Sequence, residues 1–153
     1  EQLVEARILA SAGYPRIEVL DEPYNLVRRQ PYEGDLRLVA GAQNLALTPS
    51  HALEHGFLSG LYRNKQVSAG VRGEQLRALV NRRGIKILKA LDAVAAELDA
   101  PIAAVSVAWL IAQRTVVAPI VNAFAIGQVD ELMQAAGIAL SRSQLTELTR
   151  ASD

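Results

Sequence analysis

Half of the 153 residues are apolar, 21% are charged and none is cysteine, the make-up of an ordinary globular chain with side chains enough for one core. Lys+Arg and Asp+Glu both number 16, so the formal charge is zero and no basic face supports a nucleic acid or an anionic membrane as partner. The absence of cysteine excludes a disulfide scaffold and a thiolate metal site, and it fits a reducing compartment.

The chain starts at Glu1 rather than Met and shows no signal-peptide pattern, so a fragment, a processed chain or a trimmed form is expected. Gln2 to Ala12 carries Leu3, Val4, Ile8 and Leu9 at helical spacing, ended by Gly13 and Pro15. Arg16 to Leu20 (RIEVL) reads as a short strand feeding the polar turn Asp21-Glu22-Pro23. A helix over Tyr32 to Gln43 comes next, with Leu36, Val39 and Ala40 on one face and Gly34 and Gly41 weakening it. Asn44 to Thr48 (NLALT) is the second strand, closed by Pro49. Ser50 to about Gly73 reads as a long Gly- and Ser-rich loop, a kind usually functional or mobile.

The next two helices are the clearest. In Ile85 to Leu98, Ile87, Leu91, Val94 and Leu98 line one face, while Lys86, Lys89, Asp92 and Glu97 point to water. Pro101 opens a helix running to Gln113 that is apolar nearly all round and so should be packed on several sides, with Trp109 as core. Its apolar run, Ile102 to Ile111, is about half of a membrane span and is interrupted by Ser106. Thr115 to Val121 (TVVAPIV) is the third strand, Gln128 to Ala136 a helix, and Ser141 to Gln144 a capping box that opens the last helix. Strands separated by helices and lacking polar alternation argue for a parallel sheet covered by helices, an α/β class. Three such strands cannot close a barrel, which needs about eight. No internal repeat or domain boundary is visible, so residues 1–153 read as one domain.

Four runs resemble the aldo-keto reductases. Arg16 to Arg29 (RIEVLDEPYNLVRR) is similar to that family's sixth barrel strand, close to V-x-Q-x-E-Y-N-L-x-x-R. Thr48 to Arg63 (TPSHALEHGFLSGLYR) resembles the seventh strand and its loop, and Val105 to Ala112 (VSVAWLIA) the helix before the eighth. Ala118 to Met133 (APIVNAFAIGQVDELM) is similar to the eighth strand and the segment after it. The resemblance covers essentially the whole chain but only the C-terminal half of the family's TIM-type (β/α)8 barrel. It implies a cytoplasmic enzyme that reduces aldehydes or ketones with NADPH, the cofactor carrying hydride while protein groups give the proton. The family's catalytic tetrad lies on strands two to four, so no residue here matches it. A companion half-barrel or a second copy is then expected as partner, because a half barrel exposes sheet edges and an apolar face.

What the resemblance places in this half is the cofactor side: Asp21, Ser50, His51, Leu53, Gly56, Leu58, Ser59, Gly60, Gln128 and Glu131. Several depart from the pattern. Asp21 replaces a glutamine at the carboxamide, and Ser50 replaces the aromatic that stacks on the nicotinamide. His51-Ala52 stand for Ser-Pro, Glu54 for an alanine and Leu61 for a lysine near the phosphates, while Asn122, Ala123 and Phe124 occupy the 2′-phosphate positions. Lost stacking and charge-assisted contacts cost about 1–3 kcal/mol each. The loop backbone from Leu53 to Gly60 and the adenine-side Gln128 and Glu131 are kept. These substitutions favour an alternative function, a non-catalytic assembly or regulatory module built on the same barrel.

Other constellations carry two readings each. His51 to His55 spells H-x-x-E-H, an inverted zinc-protease motif in which a helix would put both histidines on one face, Glu54 as base and Glu131 as a further ligand. Gly56 and Gly60 disfavour that helix, and two polar loop residues at a barrel mouth are the plainer reading. Asp21 and Glu22 form either an acid pair near His51 or a solvated turn. Arg28 and Arg29 form either an anion site or a surface charge pair. Gly70 to Gly73 with Arg72 reads as a flap over the cofactor or a plain loop.

Overall fold

A computed structural model describes residues 1–63 and 71–153, and the side chains of Val71 and Arg72 are not among what it describes. The chain runs α1 (Gln2–Ser11), β1 (Val19–Pro23), α2 (Gln30–Glu33), α3 (Asp35–Gln43), β2 (Ala46–Ser50), a 3-10 turn (Glu54–Ser59), α4 (Val71–Leu79), α5 (Arg82–Leu98), α6 (Ile102–Ile111), α7 (Ile126–Met133), a second 3-10 turn (Gln134–Gly137) and α8 (Arg142–Ala151). The class is α/β, rich in helix, around a parallel two-stranded sheet in which Val19 pairs with Ala46 and Pro23 with Ser50.

β1 begins three residues later than the apolar run suggests. Asp21, Glu22 and Pro23 form no turn; they pair with Thr48, Pro49 and Ser50. β1 pairs with β2 alone among the described residues, and an edge strand tolerates polar side chains and a terminal proline that a central one would not. Likewise Pro49 sits inside β2 instead of ending it. Gly34 does more than weaken the predicted helix: the chain turns there and divides it into α2 and α3.

The expected third strand is reduced to a single bridge, Leu47 to Val116. Leu47 donates to Thr115 O and accepts from Val117 N–H, as a parallel ladder requires. The next rung would need Pro49 to donate to Val117 and residue 119 to donate to Pro49, and both positions are proline. Ile120 N–H reaches Pro49 O instead, one residue out of register. The prolines explain the lost strand.

The helices form for local reasons. Asn81 Oδ1 accepts from Gly84 N–H and caps α5, whose Ile87, Leu88, Leu91, Val94 and Ala95 are buried along one stripe. α6 is buried from Ala103 to Leu110, as its uniform apolarity predicts, and it meets α5 at 96°. No single described helix is long and apolar enough to cross a membrane. Trp109 is core: its ring packs tilted on Tyr24, and its indole N–H donates to Thr149 on α8. The capping box forms as written, with Ser141 and Gln144 bonded reciprocally at the start of α8. α4 has few apolar residues and no clear periodic pattern, yet it buries Leu76.

Candidate functional site

The carboxyl end of β2 runs directly into a tight loop with an uncommon backbone. His51, Glu54 and His55 have φ of 54°, 44° and 56°, and Gly56 and Gly60 adopt 91° and 79°. Left-handed conformations at non-glycine residues cost about 1–2 kcal/mol each, so something else must hold the loop in shape. Glycine is favoured at Gly60 by its left-handed φ of 79°, and a Cβ there would also press on the Arg63 guanidinium at 2.9 Å.

The holding group is a buried polar clamp. Asn25 is fully buried; its Nδ2 donates to His51 O at 2.9 Å and to Glu54 Oε2 at 2.7 Å, and its Oδ1 accepts from the N–H groups of Val27 and Arg28. Arg28 closes the arrangement with two bonds to the Glu54 carboxylate, the shorter 2.6 Å. Burial alone would raise the Glu54 carboxyl, but the hydrogen bonds from Arg28 and Asn25 and the nearby positive charge outweigh it and hold the group below the usual range. At the far end, Arg63 does the same for the loop's exit by donating to Gly60 O and to both oxygens of Asp92 on α5.

This loop forms one wall of an open cleft of about 800 Å³ beside the sheet's carboxyl end. Opposite it stand Ala103 of α6, the segment from Ile120 to Phe124, and Gln128, Glu131 and Leu132 of α7. Seven of the ten positions singled out in the sequence line it: Ser50, His51, Leu53, Gly56, Ser59, Gln128 and Glu131. The other three do not. Asp21 is exposed on the edge strand, Leu58 is wholly buried in the core, and Gly60 shapes the loop from outside the cleft. Leu61, Asn122 and Phe124, the substituted positions, also line the cleft. Gln128 Oε1 accepts from Phe124 N–H and so fixes the entry to α7.

The zinc reading fails. H-x-x-E-H forms no regular helix because three of its five residues are left-handed, and Glu54, the required base, is turned inward and clamped by Arg28 and Asn25. The two histidine rings meet edge to face at 4.9 Å, and no group of three metal-binding side chains exists among the described residues. The acid pair is absent as well: neither Asp21 nor Glu22 reaches the cleft, and neighbours on a strand point to opposite faces. Arg28 is a surface residue, as the plainer reading has it, whereas Arg29 is largely covered, and both are paired. The first joins Glu54; the second joins Glu33, Asp153, Ser152 and Thr149 O, tying α2 to the end of α8. Glu33, whose carboxyl burial would raise, is held low by Arg29 and Tyr24, and Tyr24's phenol is pushed far up by burial and by donating to Glu33. Of the expected flap or loop at Gly70–Gly73, Gly70 lies outside the described residues, and Val71 to Gly73 open helix α4 instead of a loop.

A parallel α/β framework with an open cleft at the strand carboxyl ends defines a class of ligand-binding and enzymatic domains. Within it, the model of the Aldo/keto reductase family matches residues 1–153, the whole chain, and the chain belongs to that family of oxidoreductases.

Proposed function

We propose that this chain is the cofactor-binding part of an oxidoreductase that reduces aldehydes or ketones, residues 1–153 forming one unit of a larger (β/α) barrel. The observation that carries the reading is the cleft: about 800 Å³, at the carboxyl end of the sheet, lined by seven residues at which the family resemblance puts a dinucleotide. Its size suits such a ligand. NADPH is the form the resemblance implies, supplying hydride to the carbonyl carbon when bound. The chain's own residues bind and orient: Ser50, Ser59 and Asn122 offer hydrogen bonds, Phe124 and Tyr62 offer apolar faces, and the clamp at Glu54 holds the loop in its binding shape. The family's proton-donating set belongs to the first half of the barrel, so turnover requires that half, from a companion chain or from the same polypeptide.

The exposed apolar residues support a companion. Ile8, Tyr14 and Val19 lie on the α1–β1 side with exposures of 65%, 63% and 54%, where further strands would seat. A reduced nicotinamide dinucleotide titrated into the full-length protein, followed by its fluorescence and then by its oxidation on adding an aldehyde panel, tests the reading. Micromolar binding with turnover is expected. Binding without turnover by the complete barrel would favour the non-catalytic module; no binding of either dinucleotide would remove the proposal.

A further inference from the structure

The two phenylalanines of the chain have opposite fates. Phe57 is wholly buried in the core, whereas Phe124 lines the cleft with 79% of its surface exposed. No ring contact joins Phe124 to another aromatic among the described residues. Tyr62, which also lines the cleft, is committed to the loop: its Cε2 lies 3.2 Å from where a Cβ on Gly56 would sit. Phe124 is nonetheless fixed through its backbone, since its N–H donates to Gln128 Oε1 at 2.8 Å just before α7 begins. A ring anchored by its main chain and open on its faces is a platform, and exposed apolar surface at a groove marks ligand contact.

Polar groups stand beside this ring in a definite pattern. Gln128 and Glu131 are three residues apart on α7, so they share one face, and both line the cleft with Phe124. With its Oε1 engaged by Phe124, Gln128 keeps its amide N–H2 group as a donor, while the Glu131 carboxylate accepts. An adenine edge is the complement of such a pair, with an exocyclic amino donor beside a ring-nitrogen acceptor. We infer that Phe124 is the platform on which the adenine base of the dinucleotide stacks. This assignment rests on the dinucleotide reading above, and it holds for NADH and NADPH alike because it concerns the base and not the phosphates.

Full-length protein carrying Phe124→Ala, Phe124→Leu or Phe124→Trp, titrated with NADH and NADPH by cofactor fluorescence and with AMP as competitor, tests this. Alanine and leucine should each weaken both dinucleotides and AMP by at least about fivefold, while tryptophan, which keeps a flat π face, should stay within about twofold of the parent. Reduced nicotinamide mononucleotide has no adenine and should bind all four proteins alike, which a mere change in the shape of the wall would not give. Unchanged dinucleotide affinity in Phe124→Ala, leucine serving as well as phenylalanine, or equal weakening of the mononucleotide overturns the platform and leaves the dinucleotide reading standing. Failure of the parent protein to bind either dinucleotide removes that reading and this one with it.

Discussion

Gly84, two residues into α5, is the tightest glycine in the molecule among those described. A Cβ built there would lie 1.9 Å from the carbonyl oxygen of Leu79 and 2.9 Å from Cζ of Phe57. The first contact is with backbone, so no side-chain rotation relieves it, and the helix start must move to make room. Overpacking of this kind costs about 1–3 kcal/mol and occasionally more. The same movement strains the cap in which Gly84 N–H donates to Asn81 Oδ1, worth about 1 kcal/mol. Against these, alanine gains at most about 1 kcal/mol of helix propensity. Gly84→Ala should therefore lose about 1–3 kcal/mol, which in a chain of this size lowers Tm by about 2–12 °C. Gly41→Ala is the control, since it sits inside α3 with nothing within 4 Å of its Cβ, and it should gain about 0.4–1 kcal/mol. Urea denaturation of the three proteins decides the matter. A Gly84→Ala variant within about 0.5 kcal/mol of the parent would refute the packing argument.

Glu54→Gln keeps the size of the side chain but removes the charge that Arg28 meets, and should cost about 2 kcal/mol in urea denaturation while weakening ligand binding. Because the Glu54 and Glu33 carboxyls are held below the ordinary glutamate value of 4.5, their stabilisation is complete above that pH and is lost as pH falls through the lowered values. Tm measured against pH should fall steeply on that acid limb, and less steeply in Glu54→Gln; identical slopes would count against the clamp. Burial and the hydrogen bond to Glu33 push the Tyr24 phenol far up, so in an alkaline absorbance titration it should ionise only when the protein unfolds. Ser141→Ala, which opens the capping box of α8, should cost about 1 kcal/mol by the same denaturation assay.

Much of this is legible in the chain. Helices with a strong apolar stripe or a capping signature, α5, α6 and α8, are readable because their pattern and their packing agree. β1 lies later than its apolar run because its pairing is made by backbone groups that care little for Asp21 and Glu22. The third strand shrinks to a bridge because apolar content does not reveal that Pro49 and Pro119 occupy both donor positions of the next rung. At the cleft, loop and α7 positions are found through resemblance. The clamp is invisible in the chain: Asn25 and Arg28 lie 29 and 26 residues from Glu54 and meet it only through the fold. The single hint is Glu54 itself, a charge standing where the family pattern has alanine.

The five left-handed residues between His51 and Gly60 have a consequence for which substitutions the protein tolerates. Where shape is dictated by handedness, the side chains projecting from it, the clamped Glu54 apart, are free to change so long as the residue accepts a positive φ. Glycine and asparagine would enter at His51 or His55 easily, and valine or isoleucine would be expelled whatever their polarity. The rim of the cleft is therefore open to drift in chemistry and closed to drift in branching at Cβ, so a library built there should be filtered by conformation before it is filtered by charge.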